Sequence, residues 1–266
     1  MLSKLIISLE SREDSPRRMN YSFGSLMQGV LMEHVAPDFA EFLHTGGVNP
    51  YAQYLELRDG AAAWNVTTLT AEAREQIILP MLNSQDTELR IRHHDMELKI
   101  RSKAVEEKTY EKLMEETYFG RCKLYLTLEF ITPTAFKVDG EYQFYPTVFH
   151  IFQSLIRKYD AVSGETEIFS EELMKEITEH VHITRYNLRS CIFGLEGVKV
   201  PGFRGQISLR IHGPQMFVNL IHMLAAFGTF SGVGIKTSMG MGAVRLRDHS
   251  TPSGALTGTP HMTEKA

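Results

Sequence analysis

Apolar and polar positions alternate with two different periods along this chain, and each switch between them marks an element. Leu2 to Leu9 alternates loosely and is rich in Leu and Ile, the pattern of a half-buried strand. Phe23, Leu26, Met27, Val30 and Leu31 recur at helical spacing, and Asn20 or Ser22 stands where an N-cap is needed. Pro37-Asp38 opens a short second helix, Phe39 to His44, which Gly46-Gly47 ends. Tyr51 to Leu57 and Trp64 to Leu69 read as strands joined by the turn Asp59-Gly60. Thr70 to Asn83 is predicted helical, with Thr70 as cap and Glu72 and Glu75 facing the positive end of the helix dipole. Thr87 to Lys99 alternates as one strand. The order β, α, β, β, α, β is the split βαβ arrangement of a ferredoxin-like domain.

The second half repeats that order with more decoration. Glu106 to Phe119 is a charged helical segment that links the halves or starts the second. Lys123 to Ile131 alternates strongly as a strand, after which Pro133 and the Gly140 turn interrupt. Tyr145 to Tyr159 follows as an amphipathic helix and Ser170 to Glu179 as an acidic one. Val181 to Phe193 and Gln206 to Ile211 read as strands flanking a turn from Lys199 to Gly205. Pro214 to Phe227 is a helix whose stripe Phe217, Leu220, Ile221, Leu224 is core, and Ala243 to Arg247 is the last strand. The expected architecture is α+β, with two tandem ferredoxin-like, RRM-like domains over residues 1–104 and 105–249. Residues 250–266 are small and polar, the composition of a disordered tail.

Composition narrows the class without naming a function. With 266 residues, 43% hydrophobic and 23% charged, the chain can bury a substantial core. Cys122 and Cys191 are too few for a disulfide framework and suit a reducing compartment as small apolar residues. No apolar run reaches membrane-spanning length and no leader pattern precedes the first strand, so a cytoplasmic protein without membrane contact is expected. The net charge of -4 is unevenly spread: residues 103–180 carry nine Lys or Arg against fifteen acids, whereas 181–250 carry eight against two, Glu196 and Asp248. A local basic face is what a phosphate-binding surface requires.

The basic excess coincides with the loop Ser231-Gly232-Val233-Gly234-Ile235-Lys236-Thr237-Ser238-Met239-Gly240-Met241-Gly242. Glycine lets backbone approach a ligand closely, and successive N–H groups in such loops form anion-binding concavities. It is not a Walker A, because a residue separates Gly234 from Lys236 and the order is helix, loop, strand. No helix follows Gly242, which excludes a dinucleotide fingerprint. The alternative is a wide turn that binds nothing. Lys236, Arg204, Arg185, Arg189, Arg245 and Arg247 are candidates to meet phosphates. Thr237 and Ser238 are placed to donate to backbone oxygens or a 2'-hydroxyl. Phe203 is a candidate to stack on a base, or equally a turn residue packed on the core.

Taken together, several of these segments carry a resemblance. Leu128-Glu129-Phe130-Ile131-Thr132-Pro133-Thr134-Ala135-Phe136, with Gly140 and then Pro146 before a helix, resembles the second-domain opening of the CRISPR-associated repeat-processing endoribonucleases of the RAMP superfamily. Pro201-Gly202-Phe203-Arg204-Gly205 and the closing glycine loop resemble the same family, as does the helix Phe39 to His44 followed by glycines, its N-terminal catalytic segment. The resemblance covers nearly the whole chain up to the tail. It implies tandem ferredoxin-like domains, recognition of a CRISPR repeat in precursor transcripts, and cleavage without metal or other cofactor, leaving a 2',3'-cyclic phosphate. Repeat RNA is then the expected partner, Cas effector subunits are further candidates, and a monomer or homodimer is expected.

RNA cleavage without a metal uses the neighbouring 2'-hydroxyl as nucleophile, so one group removes its proton while another protonates the departing 5'-oxygen. Histidine suits either role because its ordinary pKa lies near neutrality. His44, at the end of a short helix beside Gly46-Gly47, is the candidate that the resemblance favours; its structural alternative is a cap on the last carbonyls of that helix. Some relatives add a tyrosine on the preceding helix and a lysine soon after the histidine. Here Phe23 to Val35 holds no tyrosine and no lysine lies between His44 and Arg58, leaving Tyr51 and Tyr54 as substitutes or as strand aromatics. His34 is expected to face the same cleft, His93-His94 alternates across a strand, and His180 and His182 share a face without further ligands. No spacing of His, Cys and carboxylates suits a metal. Loss of the usual tyrosine and lysine fits a non-catalytic RNA-binding subunit of the superfamily as the alternative, and a nucleotide-binding metabolic enzyme is a third reading.

Overall fold

The structure is a computed structural model that describes residues 1–11, 19–45, 47–58, 61–91, 96–164, 167–195 and 197–247. Gly46, the Asp59-Gly60 turn, His93-His94, Glu196, Asp248 and the tail from residue 250 lie outside the described residues.

The first half runs β1 (Leu2–Ser11), α1 (Gly24–Glu33), α2 (Pro37–His44), β2 (Tyr51–Arg58) and β3 (Ala61–Thr68). A helical segment follows, formed by α3 (Ala71–Ala73), a π turn (Arg74–Ile78) and α4 (Leu79–Asn83); β4 (Glu88–Ile91) and β5 (Met96–Lys108) complete the half. The strands form one sheet in the order β2-β3-β1-β5-β4. Every second residue of β1, from Leu5 through Ile7 to Leu9, is buried with Met27, Leu31, Trp64 and Val66 under the helices. Thr70 caps the second helical segment as expected, accepting from the Ala73 N–H.

The second half runs α5 (Tyr110–Glu116), β6 (Tyr125–Thr134), the hairpin β7 (Phe136–Val138) and β8 (Glu141–Gln143), α6 (Val148–Ser163) and α7 (Glu171–His180). β9 (Val181–Leu195), β10 (Val198–Ile211), α8 (Gln215–Ser231) and β11 (Val244–Arg247) follow. Its main sheet has the order β11-β6-β10-β9. In both sheets the first strand of the half lies between the half's third and last principal strands, which is the ferredoxin-like order, so the chain is two ferredoxin-like units in tandem. Leu2 and Leu69 of the first half are buried in the core of the second, so the two units share apolar surface.

Three expectations are corrected. Thr87 to Lys99 is a hairpin, β4 with β5, instead of one strand, and Leu89 pairs with Leu98. β5 then runs on through residue 104 to Lys108, so the helix expected from Glu106 starts only at Tyr110, after the Thr109 cap. Lys199 to Gly205 is part of β10, where a turn was expected. Pro201 is tolerated there because it pairs with Ile192 of β9, beyond the last β6 pair, Phe203 with Thr134. Gly205 sits at a register shift with φ +125°, and a Cβ there would stand 2.0 Å from the Asn187 carbonyl oxygen.

Candidate functional site

α8 and the glycine loop that follows it hold the β2 edge of the first sheet from its two faces. On one face, the Thr67 hydroxyl donates to the Phe230 carbonyl at 2.6 Å, and Lys4 Nζ lies 5.1 Å from the Phe230 ring centroid. On the other, Gln53 Nε2 donates to the Gly24 carbonyl at 2.6 Å and to the Ser238 carbonyl at 3.0 Å, while Gln53 Oε1 accepts from Trp64 Nε1 at 2.9 Å. A buried amide with its donors and acceptor matched fixes position instead of costing stability. Gly24 and Gly240 meet backbone to backbone: a Cβ on Gly24 would stand 2.8 Å from the Met239 carbonyl oxygen.

The loop's conformation explains its glycines. Gly232, Gly234, Gly240 and Gly242 have φ of +64°, +80°, +107° and +72°. A side chain at Gly242 would begin 2.1 Å from the Val233 carbonyl oxygen, and one at Gly234 would begin 2.3 Å from that of Ala135. Lys236 adopts the same left-handed region at φ +56°, with no such excuse of size. That backbone is held in place by its own carbonyl, which accepts from the Met239 and Met241 N–H groups at 3.0 and 3.2 Å.

The outcome is a cleft of about 1040 Å³ whose walls come from both ends of the chain. α1 contributes Gln28, Gly29 and Glu33, α2 contributes His44, β2 contributes Tyr51, β4 contributes Arg90, and the glycine loop contributes Gly234, Lys236, Thr237 and Ser238. His44 is the last residue of α2 and is exposed. Among the described residues the His44 ring has no hydrogen-bond partner, and the helix-end carbonyl of Phe42 is instead satisfied by the Thr45 hydroxyl at 2.7 Å. Tyr51 is almost wholly buried, accepts from Gln28 Nε2 at 3.3 Å, and burial pushes its phenol above the usual range.

Other candidates stand elsewhere. Tyr54 points from the opposite face of β2 and lines a separate groove of about 700 Å³ with Lys4, Asn65 and Arg245, so it is not part of the His44 cleft. His34 does not serve the cleft either: Nδ1 is 3.0 Å from the Val30 carbonyl and Nε2 is 3.0 Å from Asp86. The Ser84 hydroxyl, and then His34, hold the Asp86 carboxyl below its usual range. His180 ends α7 with Nδ1 3.0 Å from the Glu176 carbonyl, so it does not share a strand face with His182. Phe203 is core, edge-on to Phe130 at 4.8 Å, and stacks on nothing external.

Of the arginines, Arg245 donates to both carboxylate oxygens of Glu56 at 2.7 Å and Arg247 to Glu129 at 2.7 Å. These two tie β11 to β2 and β6, which accounts for their charge without a ligand. Arg204 lies over the Tyr21 ring at 4.9 Å and, with the exposed Arg189, lines a third groove of about 430 Å³. Arg185 is exposed on β9, away from the three clefts. Cys122 and Cys191 are half-buried free thiols, and burial raises the pKa of both.

Sequence reasoning missed Lys158. It sits on α6 with its ammonium turned onto the glycine loop, 3.2 Å from the Ser231 carbonyl, 3.1 Å from that of Gly232 and 3.3 Å from Thr237 Oγ1. Burial pulls it down to about 7. The signal was a lysine on the apolar stripe of an amphipathic helix, three residues after Leu155 and seven after Ile151.

Comparisons with known proteins agree with one another. The family model described as CRISPR-associated endoribonuclease Cas6 matches residues 128–244. A CRISPR-associated endoribonuclease Cas6 of Mycobacterium tuberculosis is 36% identical over 248 residues, 92% of this chain and 78% of that protein. One of Streptococcus thermophilus is 30% identical over 224 residues, 83% of this chain and 89% of that protein. Among solved structures, a Cas6 product complex shares the fold with TM-score 0.76 at 24% identity, over 93% of this chain and 99% of that one. A Cas6 substrate mimic complex does so with TM-score 0.72 at 21% identity, over 92% and 99%. The chain belongs to the family of CRISPR-associated Cas6 endoribonucleases.

Proposed function

We propose that the 1040 Å³ cleft is where this endoribonuclease cuts CRISPR repeat RNA in precursor transcripts, releasing guide RNAs. One observation carries the reading: an exposed histidine at the end of α2 and the Lys236-Thr237-Ser238 segment, from opposite ends of the chain, line the same cleft. His44 acts as general acid or base. The 2'-oxygen beside the cut attacks phosphorus and gives up its proton, the bond from phosphorus to the 5'-oxygen breaks, and that oxygen leaves protonated. The products are a 2',3'-cyclic phosphate and a 5'-hydroxyl, with no metal in the step.

The glycine loop cradles the RNA backbone, with the Lys236 ammonium against phosphate. Tyr51 borders the cleft, but its burial and its raised pKa make it a poor proton donor, so it serves as a wall held by Gln28. Arg204 and Arg189 extend the basic surface through the third groove and Arg185 along β9, while Arg245 is retained as the link to Glu56. The first unit, residues 1–104 with the rest of β5, carries the chemistry. The second, continuing through residue 249, carries the grip. Among the described residues no helix is long and apolar enough to cross a membrane, in keeping with action on transcripts in the cytoplasm.

The test is repeat RNA incubated with the protein in EDTA, beside the same RNA carrying a single 2'-deoxy group at the cut. Cleavage of the first and survival of the second are expected. A deoxy substrate cut at the same rate, or loss of cleavage in EDTA that divalent ions restore, overturns the mechanism.

A further inference from the structure

Lys158 supplies three N–H groups and no acceptor when protonated. Its three neighbours are oxygens: the Ser231 and Gly232 carbonyls and Thr237 Oγ1. The carbonyls stand at the C-terminus of α8, where unpaired C=O groups carry the negative end of the helix dipole. Among the described residues Lys158 makes no ion pair, and Asp160 on its own helix is taken by the Ile168 and Phe169 N–H groups at 2.9 and 3.0 Å. The charged or titratable groups that share its cleft are Glu33, His44, Arg90 and Lys236, with Tyr51 on β2.

The direction of the third hydrogen bond has a consequence. When the ammonium donates to Thr237 Oγ1, the threonine keeps its own hydrogen, and no described residue accepts it; that hydrogen is free for the cleft that Thr237 lines. A neutral amine has only two hydrogens, which go to the two carbonyls, and its lone pair then takes the Thr237 hydrogen inward. The hydroxyl is a donor to the cleft in one state and spent in the other.

Resting on the reading of the cleft as the RNA site, we propose that Lys158 is a positioning residue whose ammonium pins the glycine loop and turns the Thr237 hydroxyl outward as a donor to an RNA phosphate or 2'-hydroxyl. Because burial brings Lys158 to about 7, the free protein holds both states at neutral pH. RNA that accepts the Thr237 hydrogen favours the ammonium, because only that state turns the hydroxyl outward, so RNA binding takes up a proton and affinity falls as pH rises above neutrality.

The experiment measures affinity of the full chain for repeat RNA blocked by a 2'-deoxy group at the cut, from about pH 6 to about pH 9. Wild-type affinity should fall about tenfold across that range, the size of one charge-assisted hydrogen bond. Thr237→Val, which keeps the packing shape, should bind at the weak level throughout with a flat profile. Lys158→Arg, which cannot be neutralised, should bind without the fall. Melting curves check that each variant folds; if the arginine variant does not, Thr237→Val decides alone. Thr237→Val keeping the wild-type slope overturns the proposal. If Lys236→Ala still weakens binding in that case, the cradle survives and only Lys158's role is lost; if it does not, both fall.

Discussion

His44 owes its availability to its neighbour. Helix ends leave carbonyls that a histidine commonly satisfies, yet here the Thr45 hydroxyl and N–H both donate to the Phe42 carbonyl, at 2.7 and 3.2 Å. The imidazole is left exposed in a cleft whose lysines and arginine, Lys158, Lys236 and Arg90, come from separate elements. Proton transfer by such a group contributes about a hundredfold to ten-thousandfold in rate. His44→Ala should therefore lower single-turnover cleavage of repeat RNA by about that factor. Melting temperature and affinity for the 2'-deoxy substrate should stay at wild-type values, because the side chain supports nothing else. Cleavage within a few-fold of wild type would remove His44 from the chemistry.

At the scale of elements, the glycine loop and α1 meet without side chains between them. Gly24 has φ and ψ of −51° and −36°, which any residue adopts, but its Cβ would stand 2.8 Å from the Met239 carbonyl oxygen and 2.9 Å from the Gly240 Cα. Gly24→Ala should cost about 1–3 kcal/mol by overpacking, read in urea or thermal unfolding. Gly29, on the same helix with open space around its position, should gain up to about 1 kcal/mol as alanine from helix propensity alone. Equal effects at the two positions would show that the backbone contact is unimportant. Most elements were legible from period and punctuation: Thr70 caps its helix as its position said, Asn20 caps the 3-10 turn Tyr21–Phe23 that leads into α1, and Asp139-Gly140 turns β7 into β8 with both φ positive. The failures have physical reasons. Pro201-Gly202 reads as a turn only if the pairing partner is unknown, and here β9 leaves the proline's missing N–H harmless. Tyr51 and Tyr54 are alike in sequence, but strand alternation sends them to different grooves. Lys158 was missed because the apolar stripe of α6 shows only that a lysine turns inward there; its partners are backbone carbonyls far along the chain, which no local pattern encodes.

At the scale of the molecule, the cleft exists only when the two units are docked. Gln53 holds Gly24 and Ser238 together, Arg245 reaches Glu56 across the junction, and Leu2 and Leu69 are buried in the second unit's core. The buried Lys158 ammonium works against that assembly. An unfolded lysine ionises with its ordinary pKa of about 10.4, whereas the folded one is brought down to about 7. Between those values the unfolded chain binds the extra proton, so stability rises with pH from about 7 towards about 10 and is lost again as pH falls through the folded value. Comparing unfolding free energies of wild type and Lys158→Met across that range isolates the group. The wild type should gain on the order of 2 kcal/mol relative to the variant as pH rises, a discount on the full linkage because the residue as a whole is only half-buried. Parallel curves would mean that the ammonium is well solvated in the folded state. Repeat RNA should reverse the trend, since a phosphate in the cleft favours the charge that folding alone disfavours. The penalty then belongs to the empty protein, and binding relieves it.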